Sequence, residues 1–257
     1  MEHCFSIAQG TLQVPCRLTE PEGDIRRIVL GVHGLGGSML DAIQTGIAEE
    51  MTLFYAAVMR FEFPSHGSST MGSQDFTLEN CTASLLCAAR YLRQRYPQVE
   101  DLCIFATGFG AYVTLVALQD LLELPGQLRL VIQTPPVRMH DTLLAMMRVS
   151  PEELRAMGRI TFPTPRPFDV TYSFYETLEE NSVLTDHPIP MLILHSENNA
   201  YIRMADIQRF RRLNPDSRLV IIPGTSHRFL EEGAWDMVLD LTRDWFEFQQ
   251  VLLGDWL

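Results

Sequence analysis

Apolar positions along this chain form two kinds of pattern, and the two alternate. Residues 5–8 and 11–18 flank Gly10, and Leu12, Val14 and Cys16 alternate with polar neighbours, which predicts an N-terminal β-hairpin. Further on, short runs at 28–32, 54–61, 102–106, 130–133, 191–195 and 219–222 are apolar without alternation. That is how strands buried on both faces read. Helical spacing occupies the intervals at about 39–50, 77–95, 110–122, 203–213 and 232–253. Strands taken in turn with helices predict an α/β fold, with a mainly parallel central sheet covered by helices on both faces. One stretch, 136–185, breaks the alternation between two sheet strands. We expect it to be a helical cap insertion lying over the strand ends, within a single domain spanning 1–257. Ser150-Pro151-Glu152-Glu153 inside it has the form of a helix start, with Ser as cap, Pro in the first turn and Glu placed to reach back. Its methionines, Met139, Met146, Met147 and Met157, read as packing residues.

Composition narrows the function classes. The 257 residues are 46% hydrophobic and 20% charged, enough for one sizeable core and too apolar for a disordered chain. No apolar run approaches the roughly 20 residues that a membrane span needs, so no membrane partner is expected. The formal charge of −12 comes from 20 basic against 32 acidic residues, and every basic residue is Arg. Such a surface repels phosphate backbones, which argues against a nucleic-acid partner. Without lysine, Schiff-base and P-loop chemistry are closed to the chain. Met1-Glu2-His3-Cys4 has no basic region followed by an apolar stretch, and no secretory signal is expected from it. Five cysteines (Cys4, Cys16, Cys81, Cys87, Cys103) lack the close pairing that zinc sites use. They read as reduced thiols of a cytoplasmic protein, although Cys4 and Cys16 could face each other across the hairpin. No metal and no cofactor are expected.

In open parallel sheets chemistry gathers at the carboxyl ends of the strands. Here those ends read, in order, His33-Gly34-Leu35-Gly36-Gly37-Ser38, then Glu62-Phe63-Pro64-Ser65-His66-Gly67, then Ala106-Thr107-Gly108-Phe109-Gly110-Ala111, then His195-Ser196-Glu197-Asn198-Asn199, then Pro223-Gly224-Thr225-Ser226-His227. The series resembles that of the α/β-hydrolase superfamily over the whole chain, in particular its small capped intracellular serine esterases of the cinnamoyl-esterase or lysophospholipase-like kind. The resemblance implies an α/β-hydrolase fold and carboxylic-ester hydrolysis through an acyl-enzyme. It implies an oxyanion hole from the backbone N–H groups of Leu35 and Phe109. His227, followed by Arg228 and Phe229, falls in the slot of the catalytic histidine.

Two positions depart from that pattern. The nucleophile elbow, Gly-x-Ser-x-Gly in the family, is Ala106-Thr107-Gly108-Phe109-Gly110 here, so the nucleophile position is Gly108. The acid position is Asn199, which lacks the carboxylate that stabilises an imidazolium. Substitutes lie close by: Thr107 is one residue off the apex, Ser38 and Ser226 are near the site in sequence, and Glu197 is a possible substitute acid. Cys103 belongs inside a strand, where a thiol is inert. The small residues at 106, 108, 110 and 111 also suit a tight strand–turn–helix with no catalysis at all. His33 and His66 read as groups that order loops.

Three functions follow. One is an ester hydrolase that is inactive or impaired for want of its serine. A second is a pseudo-enzyme that binds a small-molecule ester or apolar ligand. A third is proton-transfer or lyase chemistry with His227 as base. Separately, the last predicted helix carries more apolar residues than one stripe holds. Val238, Leu241, Trp245 and Phe248 are assigned to the core, and the rest, with Val251, Leu252, Trp256 and Leu257, to a homodimer surface.

Overall fold

The computed structural model describes residues 1–248. In chain order the elements are β1 (Glu2–Gln9), β2 (Leu12–Thr19), β3 (Arg27–Val32), α1 (Ala42–Leu53), β4 (Ala56–Phe61), α2 (Leu78–Arg95), β5 (Asp101–Thr107), α3 (Phe109–Val116), α4 (Leu118–Leu122) and β6 (Gln127–Gln133). They continue with α5 (Met139–Met147), α6 (Pro151–Met157), β7 (Arg159–Phe162), β8 (Phe168–Thr171), α7 (Tyr172–Glu180), β9 (Met191–Asn198), α8 (Met204–Leu213), β10 (Arg218–Ser226) and α9 (Ala234–Phe248). Eight strands form one sheet in the order β1-β2-β4-β3-β5-β6-β9-β10. The strands from β4 to β10 pair in parallel, and β1 and β2 add an antiparallel hairpin at one edge.

The unbroken apolar runs are explained by two cores, one on each face. Successive side chains of a strand point to opposite faces, so Leu102, Ile104 and Ala106 of β5 enter one core while Cys103 and Phe105 enter the other. The first core takes in α2 and α3, with Leu85, Leu92, Tyr112 and Val113. The second is closed by α1 and α9, with Ile47, Met51, Val238, Trp245 and Phe246. Sandwiched this way, a central strand has no polar face to alternate with.

Several expectations need correction. The segment 136–185 is not wholly helical, because β7 and β8 form an antiparallel hairpin between α6 and α7. The helix start within it is as read: the Ser150 hydroxyl accepts from the Glu153 N–H, and the Glu153 carboxylate accepts from the Ser150 N–H. Residues 110–122 form two short helices rather than one. Phe54 and Tyr55 precede β4 instead of opening it, since Tyr55 turns with φ +60° and both are exposed. Cys4 and Cys16 do not face each other: the register pairs Cys4 with Arg17 and Cys16 with Phe5, which puts the two thiols on opposite faces. Cys4 is exposed, the other four cysteines are buried, and all five are free. Within α9, Val238, Leu241 and Trp245 are buried as expected, but Phe248 is 58% exposed and Phe246 takes the inner position. The homodimer surface falls largely on residues 249–257, outside the described part of the chain. No helix among the described residues is long and apolar enough to cross a membrane.

Candidate active site

The turn from β5 into α3 places Gly108 with φ +48° and ψ −120°, a conformation that side-chain-bearing residues adopt only under strain. It is held there on both sides. The Gly108 N–H donates to the Gln133 carbonyl (2.9 Å), and its own carbonyl accepts from the Tyr112 N–H as the helix begins. Space at the apex is open: a Cβ on Gly108 would meet only the Gly34 Cα, at 3.9 Å. Gly110, two residues on, is different, because a Cβ there would lie 2.4 Å from the His33 carbonyl oxygen and 2.8 Å from Val32. Phe109 is the first residue of α3, so its N–H has no carbonyl to bond within the helix. Leu35 follows Gly34 in the half-buried loop beside the apex.

Beneath this loop lies a set of buried imidazoles. His33 bonds the Gly34 carbonyl through Nδ1 (2.8 Å) and accepts from the Phe63 N–H at Nε2 (3.2 Å). Burial pushes its pKa down to about 4. His66 bonds the Pro64 carbonyl through Nδ1 (2.8 Å), packs against Phe76 and Phe168, and is pushed down to about 3 by burial and by His33. Both are neutral groups that order loops. The neighbouring Glu62 carboxylate accepts from the Met39 and Ser68 N–H groups, tying the loop after β3 to the loop after β4.

The substitutes for a nucleophile have surroundings of their own. The Thr107 hydroxyl faces the Val32 carbonyl (3.4 Å), and the Ser38 hydroxyl accepts from the Leu40 N–H (3.0 Å). Cys103 is wholly buried in β5, and burial raises its thiol pKa far from reactivity. The Ser226 N–H donates to Glu231 (2.9 Å).

On the histidine side, Asn199 and His227 are in contact, with Asn199 Nδ2 at 3.1 Å from His227 Nδ1. Asn199 Nδ2 also donates to the Ser196 hydroxyl (2.9 Å), while its Oδ1 accepts from the Tyr201 N–H (3.0 Å) and the Ile202 N–H (2.9 Å). Tyr201 stands edge-on to the His227 ring, with centroids 5.1 Å apart. Burial, then the charge of Arg228, brings the His227 pKa down to about 4. Glu197 is not its partner: that carboxylate accepts from the Gly224 N–H (2.8 Å). His195 on β9 was not anticipated as part of this group. It is fully buried, and burial and His227 lower its pKa to about 4. The roles of Ser196, Tyr201 and Ile202 in holding Asn199 were also not anticipated. An Asn whose side chain accepts from residues two and three ahead is a turn motif that its position before a helix could have suggested.

The segment between β6 and β9 reaches this end of the sheet. Arg166, between β7 and β8, donates to the carbonyls of His66, Gly67 and Met71, and the Tyr112 hydroxyl donates to the Asn181 carbonyl (2.8 Å). Among the described residues no three His, Cys, Asp or Glu side chains gather to hold a metal ion.

No family model matches this sequence, and no curated protein does. Solved structures do match. Est1E from Butyrivibrio proteoclasticus, with ferulic acid bound, is 16% identical with a TM-score of 0.76, over 96% of this chain and 99% of that one. The mouse alpha/beta hydrolase domain-containing protein 10 is 16% identical with a TM-score of 0.73, over 96% and 100%. Dienelactone hydrolase from Anabaena variabilis is 19% identical with a TM-score of 0.65, over 96% and 97%. With its mostly parallel eight-stranded sheet, its helices on both faces and these neighbours along its whole length, the chain has the α/β-hydrolase fold.

Proposed function

We propose that this protein is of carboxylic-ester hydrolase type but does not hydrolyse through an acyl-enzyme, and that its site serves as a non-catalytic pocket for a small-molecule ester or apolar ligand. One observation carries the reading. The apex residue, in the elbow's strained conformation and with open space above it, is Gly108 and bears no nucleophile. In this reading Leu35 and Phe109 are the oxyanion donors, and 136–185 is the cap, fastened by Arg166 and Tyr112. Ferulic acid in Est1E supports a ligand of small aromatic kind. The free thiols support a cytoplasmic setting.

The test is labelling with a fluorophosphonate probe beside a p-nitrophenyl ester assay, on this chain and on Gly108→Ser. Labelling needs an activated hydroxyl, so the parent is expected to stay unlabelled and inactive, while Gly108→Ser is labelled slowly at residue 108 and far faster once Asn199→Asp is added. Covalent labelling of the parent at any serine or threonine of the site overturns the reading.

A further inference from the structure

Resting on that reading, we infer that Asn199 is a positioning residue that fixes the proton of His227 on Nε2, which makes His227 a hydrogen-bond donor to a carbonyl or carboxylate oxygen of the ligand rather than a base. The argument starts at the amide. Two backbone N–H groups, of Tyr201 and Ile202, point at one end of the Asn199 side chain, and only an oxygen can accept both. The other end is therefore the NH2 group, whose two hydrogens serve the Ser196 hydroxyl and His227 Nδ1. An amide nitrogen donates and cannot accept, so Nδ1 must supply the lone pair. In a neutral imidazole the proton then sits on Nε2.

A carboxylate at position 199 would impose the reverse, accepting from Nδ1–H and leaving the Nε2 lone pair free to take a proton. Here the only lone pair of the ring is occupied by Asn199. Protonating the ring would set N–H against N–H, so the imidazolium is disfavoured by contact as well as by burial. No other protein partner of the ring nitrogens is found among the described residues, and Nε2–H faces away from Asn199. An N–H donor is matched by an oxygen acceptor, and the bond strengthens when that oxygen is charged.

The experiment is long-range proton–nitrogen NMR on uniformly nitrogen-15-labelled full-length protein near pH 7, with benzoate and methyl benzoate as probes. The parent is expected to show His227 as the Nε2–H tautomer, and Asn199→Asp as the Nδ1–H tautomer. Benzoate and methyl benzoate both present an oxygen acceptor and should each shift the Nε2 resonance of the parent, the charged acceptor more. An Nδ1–H tautomer in the parent, or an Nε2 resonance that neither probe moves, overturns the inference. A parent that hydrolyses esters yet keeps Nε2–H overturns the proposed function alone. His227→Gln, which keeps a donor but cannot change tautomer, should retain most of the benzoate binding read from backbone shifts, and complete loss counts against the donor role.

Discussion

The two halves of the site are made of different material. On the β5–α3 side it is backbone: the turn at Gly108, the start of α3 and the adjoining Gly34–Leu35 loop. On the β9–β10 side it is side chains, Asn199 on His227. The backbone half is tied to the fold, because Gly110 lets α3 approach β3 so closely that any Cβ would strike the His33 carbonyl. Nothing in the packing requires a particular side chain at 108, where the space is open, or a carboxylate at 199. Geometry that the core needs is therefore in place, while position 108 bears no hydroxyl and position 199 no carboxylate.

The largest effect that tests this contrast is catalytic. If the backbone half is complete, Gly108→Ser should hydrolyse p-nitrophenyl esters measurably, and adding Asn199→Asp should multiply the rate by up to about 10⁴, the factor by which the opposite exchange slows serine proteases. A folded double variant no faster than buffer would place the fault in the backbone half after all. Next comes the contrast between the two glycines. Gly108→Ser meets strain without collision and should cost about 1–3 kcal/mol. Gly110→Ala puts a Cβ into a backbone oxygen that no rotamer change can clear, and should cost about 3 kcal/mol or more. Urea unfolding orders the two, and an equal or reversed order breaks the distinction.

The smallest effect concerns pH. His33 and His66, under the backbone half, are held below their unfolded value of about 6.5. Above that value they are neutral in both states. As pH falls toward 5 the unfolded chain takes up protons that the native rings refuse, so stability falls. Glu62, whose folded pKa is raised by burial, acts in the opposite sense where carboxylates titrate. The urea midpoint should drop between pH 7 and pH 5, with His195 and His227, held down in the same way, adding to the loss. A midpoint unchanged over that range would mean these rings are not held neutral.

Most of the sheet was legible because a strand buried on both faces leaves an apolar run in the sequence, as at Leu102–Ala106 within β5. The β7–β8 hairpin was not. Its strands have four residues each, too short for a period to stand out, and they flank Pro163, Pro165 and Pro167, which read as loop. At the site, Gly108 and Asn199 were legible by position alone. The orientation of the Asn199 amide was not, since it is set by the N–H groups of Tyr201 and Ile202, and backbone directions leave no trace in residue identity. For the same reason Glu197 stood as a possible acid until its carboxylate was found on the Gly224 N–H.

Arg166 has a consequence beyond its three carbonyl contacts. Its guanidinium also favours the ionised form of the buried Glu62 carboxylate, which otherwise has the Met39 and Ser68 N–H groups and, at 3.3 Å, His33 Nε2 for company, with Asp41 as a like charge nearby. The β7–β8 hairpin is thus coupled to the loops after β3 and β4 by charge as well as by hydrogen bonds, although neither of its strands belongs to the sheet.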